Sequence, residues 1–288
     1  SFMIVSHNNQ KKIAVINDFS GFGRCSIAVS LPIISAMKIQ CCPVPTSIFS
    51  NHTGFAAFAC QDLTAFLPSY LEQWKQLNLT FDGVLCGFLG QAEQILSVSS
   101  FLSDQKSRGC QTILVDPVMG DHGKPYRTIT PKHCQKLRSL IPLADIITPN
   151  ITEACLLTDT PWKDGFWNES ELSELCQRLH KLGPSKIVIT GLPCLIHGKE
   201  GFENYLSCKE PFSQRACPTP SAGPSRHGTG DIFASILMAD ALNGVDFSVS
   251  VQKAADFISK CISASKALQI PEPDGVCFEN FLSDLADQ

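Results

Sequence analysis

The 288-residue sequence has no apolar run of 18 or more residues, the length a helix needs to span a bilayer. It also has no Cys-x-x-Cys pair of the kind that builds structural zinc sites. No Pro/Ser/Gly linker, internal repeat or low-complexity tract divides it, so we read one domain over 1–288, setting aside Ser1-Phe2 ahead of Met3 as a cloning remnant. Basic charge is scarce: 23 Lys and Arg face 27 Asp and Glu, a net charge of −4. That balance argues against a nucleic-acid partner, whose phosphates would need neutralising, but leaves a single nucleotide open, because backbone N–H groups and a cation can hold one. No secretory apolar segment precedes the fourteen cysteines, which are scattered through apolar stretches. We therefore expect reduced, mostly buried thiols and a cytoplasmic protein with no membrane partner. Adjacent Cys41 and Cys42 are expected to face opposite sides of a strand.

What the sequence does have is core material, 44% hydrophobic against 17% charged. Short β-branched runs at 13–17, 44–49, 84–88, 112–115 and 146–148 alternate with helical patterns at 26–37, 67–77, 92–106, 131–140 and from Thr152. This repetition predicts an α/β fold with a largely parallel sheet joined by crossover helices. A helix over 170–182, with Ser170 as N-cap, leads to a strand at 187–190. Strand-like pieces between 195 and 216 suit antiparallel edge strands. Three prolines make 217–226 read as an irregular loop. Helices follow at 232–242, 249–268 and near 278–285.

Gly228-Thr229-Gly230-Asp231 stands between that loop and an apolar helix. Glycines at a helix start let the backbone approach a ligand, and the unpaired first-turn N–H groups favour anionic oxygen. Asp231 either complements the helix dipole or acts as a base beside an anion hole. Asp116 and Asp121 follow an apolar strand, at the sheet edge where ligands bind in open α/β folds. Asn150 and Glu153 share one face of a helix start, where they can hold magnesium with Asp116 or form a capping box, two readings that can coexist. Residues 120–124 read as a flap over phosphates.

Asp116-Pro-Val-Met-Gly-Asp121, Asn150-x-x-Glu153 and Gly228-Thr-Gly-Asp231, in that order, resemble the ribokinase superfamily. Within it, Phe49-Ser-Asn-His-Thr-Gly-Phe55 and Leu143-Ala-Asp-Ile-Ile-Thr-Pro-Asn150 look like the pyridoxal kinase branch, and the resemblance spans about residues 12 to 268. It implies a three-layer α/β/α fold and transfer of phosphate from MgATP to the 5′-hydroxymethyl group of a B6 vitamer. By the same analogy Asp231 is the catalytic base, and Gly228, Thr229 and Gly230 stabilise the moving phosphoryl group. Asp116, Asn150 and Glu153 order Mg2+, with K+ or another monovalent cation nearby. Asp116, Thr148, Asn150, Thr190, Gly228 and Gly230 contact ATP, and the loop from Cys217 to Ser225 lines the adenine side. Ser20, Ser47, Phe49, His52, Thr53 and Phe88 hold the pyridine ring. The resemblance further implies a homodimer.

Two departures matter. Asn17-Asp18-Phe19-Ser20-Gly21-Phe22-Gly23 looks partly like the Asp-Pro-Ser-Gly-Gly turn of hydroxymethylpyrimidine kinases, which would put Asp18 against the ring nitrogen or hydroxyl. Phe88 stands where relatives often carry Tyr. The alternatives are therefore a hydroxymethylpyrimidine kinase and a binding protein without catalysis.

Overall fold

The structure is a computed structural model describing residue 7 and residues 9–286, so Ser1 and Phe2 lie outside the described residues. Strand β1 (Lys12–Phe22) alternates its apolar side chains between two cores: Ala14 and Ile16 enter one, Ile13 and Val15 the other. A strand buried on both faces reads as a continuous apolar run, as here. Helix α1 (Ser26–Ala36) returns the chain to β2 (Gln40–Asn51), which pairs parallel with β1 and antiparallel with the short β3 (Cys60–Asp62). Cys41 packs toward the α1 side and Cys42 toward the opposite core, as their strand alternation requires.

Helix α2 (Leu67–Gln76), strand β4 (Gly83–Cys86), helix α3 (Ala92–Ser107) and strand β5 (Thr112–Val115) continue the alternation. A two-stranded hairpin follows, β6 (Gly120–Asp121) with β7 (Lys124–Pro125). Then come α4 (Pro131–Arg138), β8 (Ile146–Ile147), α5 (Ile151–Thr158) and α6 (Glu169–His180). The last strands are β9 (Lys186–Ile196), β10 (Lys199–Cys208) and β11 (Ser213–Pro220), and two long helices, α7 (Thr229–Leu242) and α8 (Phe247–Ala267), follow. A 3-10 turn over Glu279–Leu285 stands where an α-helix is expected.

The nine-stranded sheet runs β11-β10-β9-β8-β5-β4-β1-β2-β3, parallel from β2 to β9 and antiparallel at both edges. One core joins the sheet to the helices of its α2, α3 and α6 face, and the other to α1, α7 and α8. This is the three-layer α/β/α arrangement.

Two local expectations fail for identifiable reasons. Residues 217–220 belong to β11 rather than to an irregular loop, because β10 supplies antiparallel partners from Gly201 to Asn204. Pro218 and Pro220 are tolerated because β11 is the edge strand, where a missing N–H breaks no further ladder. The cap of α6 is Asn168, not Ser170: Asn168 Oδ1 accepts the Glu171 N–H at 2.9 Å while Glu171 Oε1 accepts the Asn168 N–H at 3.1 Å. All fourteen cysteines are free, eight of them buried, and among the described residues no helix is long and apolar enough to cross a membrane.

Candidate active site

The carboxyl ends of the parallel strands gather the sequence-predicted residues on one edge of the sheet. Asn17 and Asp18 come from β1, Ser47 and Phe49 from β2, Phe88 follows β4 and Asp116 follows β5. Thr148 and Asn150 follow β8, and Thr190 lies in β9, bridged in parallel to Asn150. Ligand sites of open α/β sheets form at this edge because loops there diverge on either side of the strands.

Asp231 lies in the first turn of α7, an apolar helix buried along most of its length. Its Oδ2 accepts the backbone N–H of Ser26 at 2.8 Å, and its Oδ1 accepts the Asn17 side-chain amide at 3.3 Å. The carboxylate therefore caps the start of α1 while sitting in the first turn of α7, and both helix dipoles favour its charge. Burial outweighs them and pushes its carboxyl up to about 6, with the charge of Asp18 adding to the rise and the two hydrogen bonds opposing it. A base with such a value is ionised at neutral pH yet keeps useful proton affinity.

Gly228 caps α7 at φ +87°, and a Cβ there would stand 1.9 Å from the Arg24 carbonyl oxygen. Only glycine suits that position. A Cβ on Gly230 would meet no atom within 4 Å, so Gly230 borders open space. The Thr229 hydroxyl donates back to the Arg226 carbonyl at 3.2 Å, closing the turn. The amides at the α7 start thus adjoin a space that an anionic oxygen can enter.

Asp18 is buried, and burial raises its pKa despite bonds from Ser26 Oγ (2.9 Å) and Ser20 Oγ (3.4 Å). Ser20 is buried, Ser47, Phe49 and Phe88 are partly buried, and Thr53 is exposed. His52 differs from expectation. Its Nε2 donates to the Pro273 carbonyl at 2.5 Å, its Nδ1 accepts the Gly54 N–H at 3.0 Å, and its ring stacks on His227 at 3.7 Å. Both nitrogens are engaged within the chain, leaving none for a pyridine ring: His52 frames the loop.

Two members of the expected metal triad also form a helix cap. Asn150 Oδ1 accepts the Glu153 N–H at 2.8 Å and Glu153 Oε1 accepts the Asn150 N–H at 2.9 Å, a complete capping box. Asn150 Nδ2 donates to the Gly120 carbonyl and Glu153 Oε2 accepts the Met119 N–H, so both side chains tie α5 to the segment after Asp116. Among the described residues no three His, Cys, Asp or Glu side chains form a ready metal cluster. Burial raises Glu153 to about 7 against these N–H bonds. Burial and then the charges of Glu153 and Asp231 hold Asp116 well above the carboxylate range, opposed by Thr148, whose hydroxyl lies near but completes no hydrogen bond. A hard cation at Asp116 would relieve that crowding, and magnesium asks for only one or two carboxylates when phosphates and waters complete its shell.

Sequence reasoning gave no role to Asn17, Ser26, Arg226 or the segment after α8. Arg226 is buried and donates from Nη1 to the carbonyls of Ile270 (2.9 Å) and Gly275 (3.0 Å), while Asp274 accepts from Arg24 Nη1 at 3.1 Å. Nothing local in these residues announces such distant contacts; the polar Asn17-Asp18 pair directly after the apolar run Ile13–Ile16 is the one local signal.

An α/β/α sheet with these carboxylates at its switch edge defines the ribokinase-like class. The chain belongs to the phosphomethylpyrimidine kinase family, whose model matches residues 30–275. It is 31% identical over 203 residues to the pyridoxal kinase of Arabidopsis thaliana, covering 68% of this chain and 63% of that protein. It is 33% identical over 180 residues to the hydroxymethylpyrimidine/phosphomethylpyrimidine kinase of Haemophilus influenzae, covering 62% of this chain and 63% of that one. The matches thus span a little under two-thirds of these relatives' lengths. A Bacteroides thetaiotaomicron protein assigned as a phosphomethylpyrimidine kinase, solved in a form with pyridoxal, superposes with a TM-score of 0.89 at 34% identity, covering 96% of each chain.

Proposed function

We propose that this protein is a B6-vitamer kinase, transferring the γ-phosphoryl group of ATP to the 5′-hydroxymethyl group of pyridoxal, pyridoxine or pyridoxamine. The observation that carries the reading is Asp231, a carboxylate held by Asn17 and Ser26 at the opening of a glycine-flanked helix start. The similarity to a protein solved with pyridoxal supports the ring assignment.

Asp231 takes the hydroxyl proton as the alcohol oxygen attacks the γ-phosphorus; a new O–P bond forms, the bond from phosphorus to the bridging oxygen breaks, and ADP leaves with that electron pair. The Gly228, Thr229 and Gly230 amides stabilise charge on the equatorial oxygens. Thr148, Thr190, Asn150 and the Gly120–Asp121 strand border the phosphates. Magnesium, when bound, neutralises phosphate charge, and Asp116 is the residue to hold it, with Glu153 contributing charge and Asn150 fixing the segment. A monovalent cation belongs to the same reading. Asp18, Ser20, Ser47, Phe49, Thr53 and Phe88 contact the ring, with the aromatic faces stacking and the polar groups reading ring substituents.

The continuous sheet supports one domain, and the free thiols support the reducing cytoplasm. The exposed β3 edge with Ile48 and Phe58 beside it suits a homodimer.

The Haemophilus relative keeps hydroxymethylpyrimidine as the second candidate substrate, favoured by Asp18 and by the Ser20-Gly21 sequence, although these residues lie in β1 rather than in a turn. Comparing kcat/KM for the three vitamers and hydroxymethylpyrimidine with MgATP decides between them. The B6 reading expects the vitamers to lead; a tenfold preference for the pyrimidine overturns it.

A further inference from the structure

Ser26 occupies an unusual position. Its φ is +54°, and every other non-glycine residue of positive φ among those described lies in a hairpin turn or at a helix's carboxyl end, whereas Ser26 opens α1. The left-handed region is unfavourable for a side-chain-bearing residue, and glycine is the default occupant. A serine kept there needs a use for its side chain.

Two bonds supply that use. The Ser26 backbone N–H donates to Asp231 Oδ2 at 2.8 Å, and the Ser26 hydroxyl donates to Asp18 Oδ1 at 2.9 Å. One residue therefore holds both the carboxylate of the base and the Asp18 carboxylate within β1. Asn17 repeats the connection, since its Nδ2 reaches Asp231 Oδ1 while its Oδ1 accepts the Asp18 N–H at 2.9 Å. Among the described residues, Asp18 Oδ2 receives only the long 3.4 Å contact from Ser20, so that oxygen retains capacity for a further donor.

We propose that Ser26 is a positioning residue that couples ring recognition at Asp18 to the placement of the base at Asp231. The proposal rests on the kinase reading and deepens it: the preferred substrate presents a hydrogen-bond donor of its heteroaromatic ring to Asp18 Oδ2, and the α1 start transmits that contact. A substrate whose ring lacks the donor binds without fixing Asp18, and the Ser26 backbone then holds Asp231 less firmly. The alternative is that Ser26 only caps α1 and the two carboxylates act independently.

A double-mutant cycle separates the two. Ser26→Gly keeps the N–H to Asp231, suits the positive φ and removes the whole CH2OH side chain; Ser26→Ala deletes only the hydroxyl with the left-handed φ retained and serves as the second variant should the glycine loosen the helix start. Asp18→Asn alters the other partner. Steady-state constants are measured for pyridoxal at saturating MgATP and for MgATP at saturating pyridoxal, in wild type, the single variants and the double variant. The bridge predicts that each single variant raises KM for pyridoxal and lowers kcat, leaves KM for ATP unchanged, and that the double variant is less impaired in kcat than the product of the singles by about threefold or more. Independent, multiplicative effects on kcat with wild-type turnover intact overturn the bridge alone. No wild-type turnover of any ring alcohol overturns the kinase reading, and the bridge with it.

Discussion

Asn17, one residue past the last pairing of β1 with β4, donates its side-chain amide to Asp231 Oδ1 across 3.3 Å, joining residues 214 apart in the chain. The approach is close enough that a Cβ on Gly87 would stand 2.3 Å from the same amide nitrogen, so the start of the β4 loop is shaped around it. The Asp231 carboxylate is thus held from the sheet as well as from α1.

That contact fixes a pH prediction. With Asp231 pushed up to about 6 by burial, kcat/KM is expected to fall as pH drops through 6, because a protonated carboxyl cannot accept the substrate proton. The Asn17 bond favours the ionised form, so Asn17→Ala moves this acid limb to higher pH. A pH–rate profile of both proteins checks the sign. A limb that stays in place or moves downward argues against the contact.

Gly228 and Gly230, proposed to face the phosphoryl group, predict different failures. Gly228→Ala meets the Arg24 carbonyl and a left-handed φ together, so it should lower Tm as well as activity, by an amount corresponding to roughly 2 kcal/mol or more. Gly230→Ala meets nothing in the protein and should fold normally, losing turnover because its methyl enters the space meant for the phosphoryl group. Thermal melts beside activity assays separate them, and a Gly230→Ala variant with unchanged kcat would remove Gly230 from the site.

Asp116 carries the metal prediction. MgATP is expected to raise Tm in the wild type and EDTA to cancel most of that rise, following mass action. Asp116→Asn relieves the repulsion from Glu153 and Asp231, so its ligand-free Tm should be at or above wild type while the magnesium-dependent rise shrinks. An undiminished rise would place the metal elsewhere.

Much of this fold is legible in the sequence because each parallel strand is an apolar run between helical patterns, a signal that needs no distant partner. The Gly-x-Gly-Asp start of α7 and the Asp116 turn are legible for the same reason: strand end and helix start are local features. What the sequence does not disclose is pairing. Whether Asn150 and Glu153 bind a metal or cap a helix depends on where Met119 and Gly120 point their backbone groups. Whether His52 faces a ligand depends on Pro273, 221 residues away. Residues 217–220 look irregular until β10 supplies their partners. In each case a long-range hydrogen bond overrides the local reading.

The most direct test of the account is the turnover of Asp231→Asn with pyridoxal and MgATP, read with the dissociation constants of both ligands. The account predicts a fall in kcat of roughly 10²–10⁴-fold with affinities nearly unchanged, as expected when a general base is removed from an otherwise intact site. Equal turnover in the variant and the wild type would contradict the assignment of Asp231 as the base.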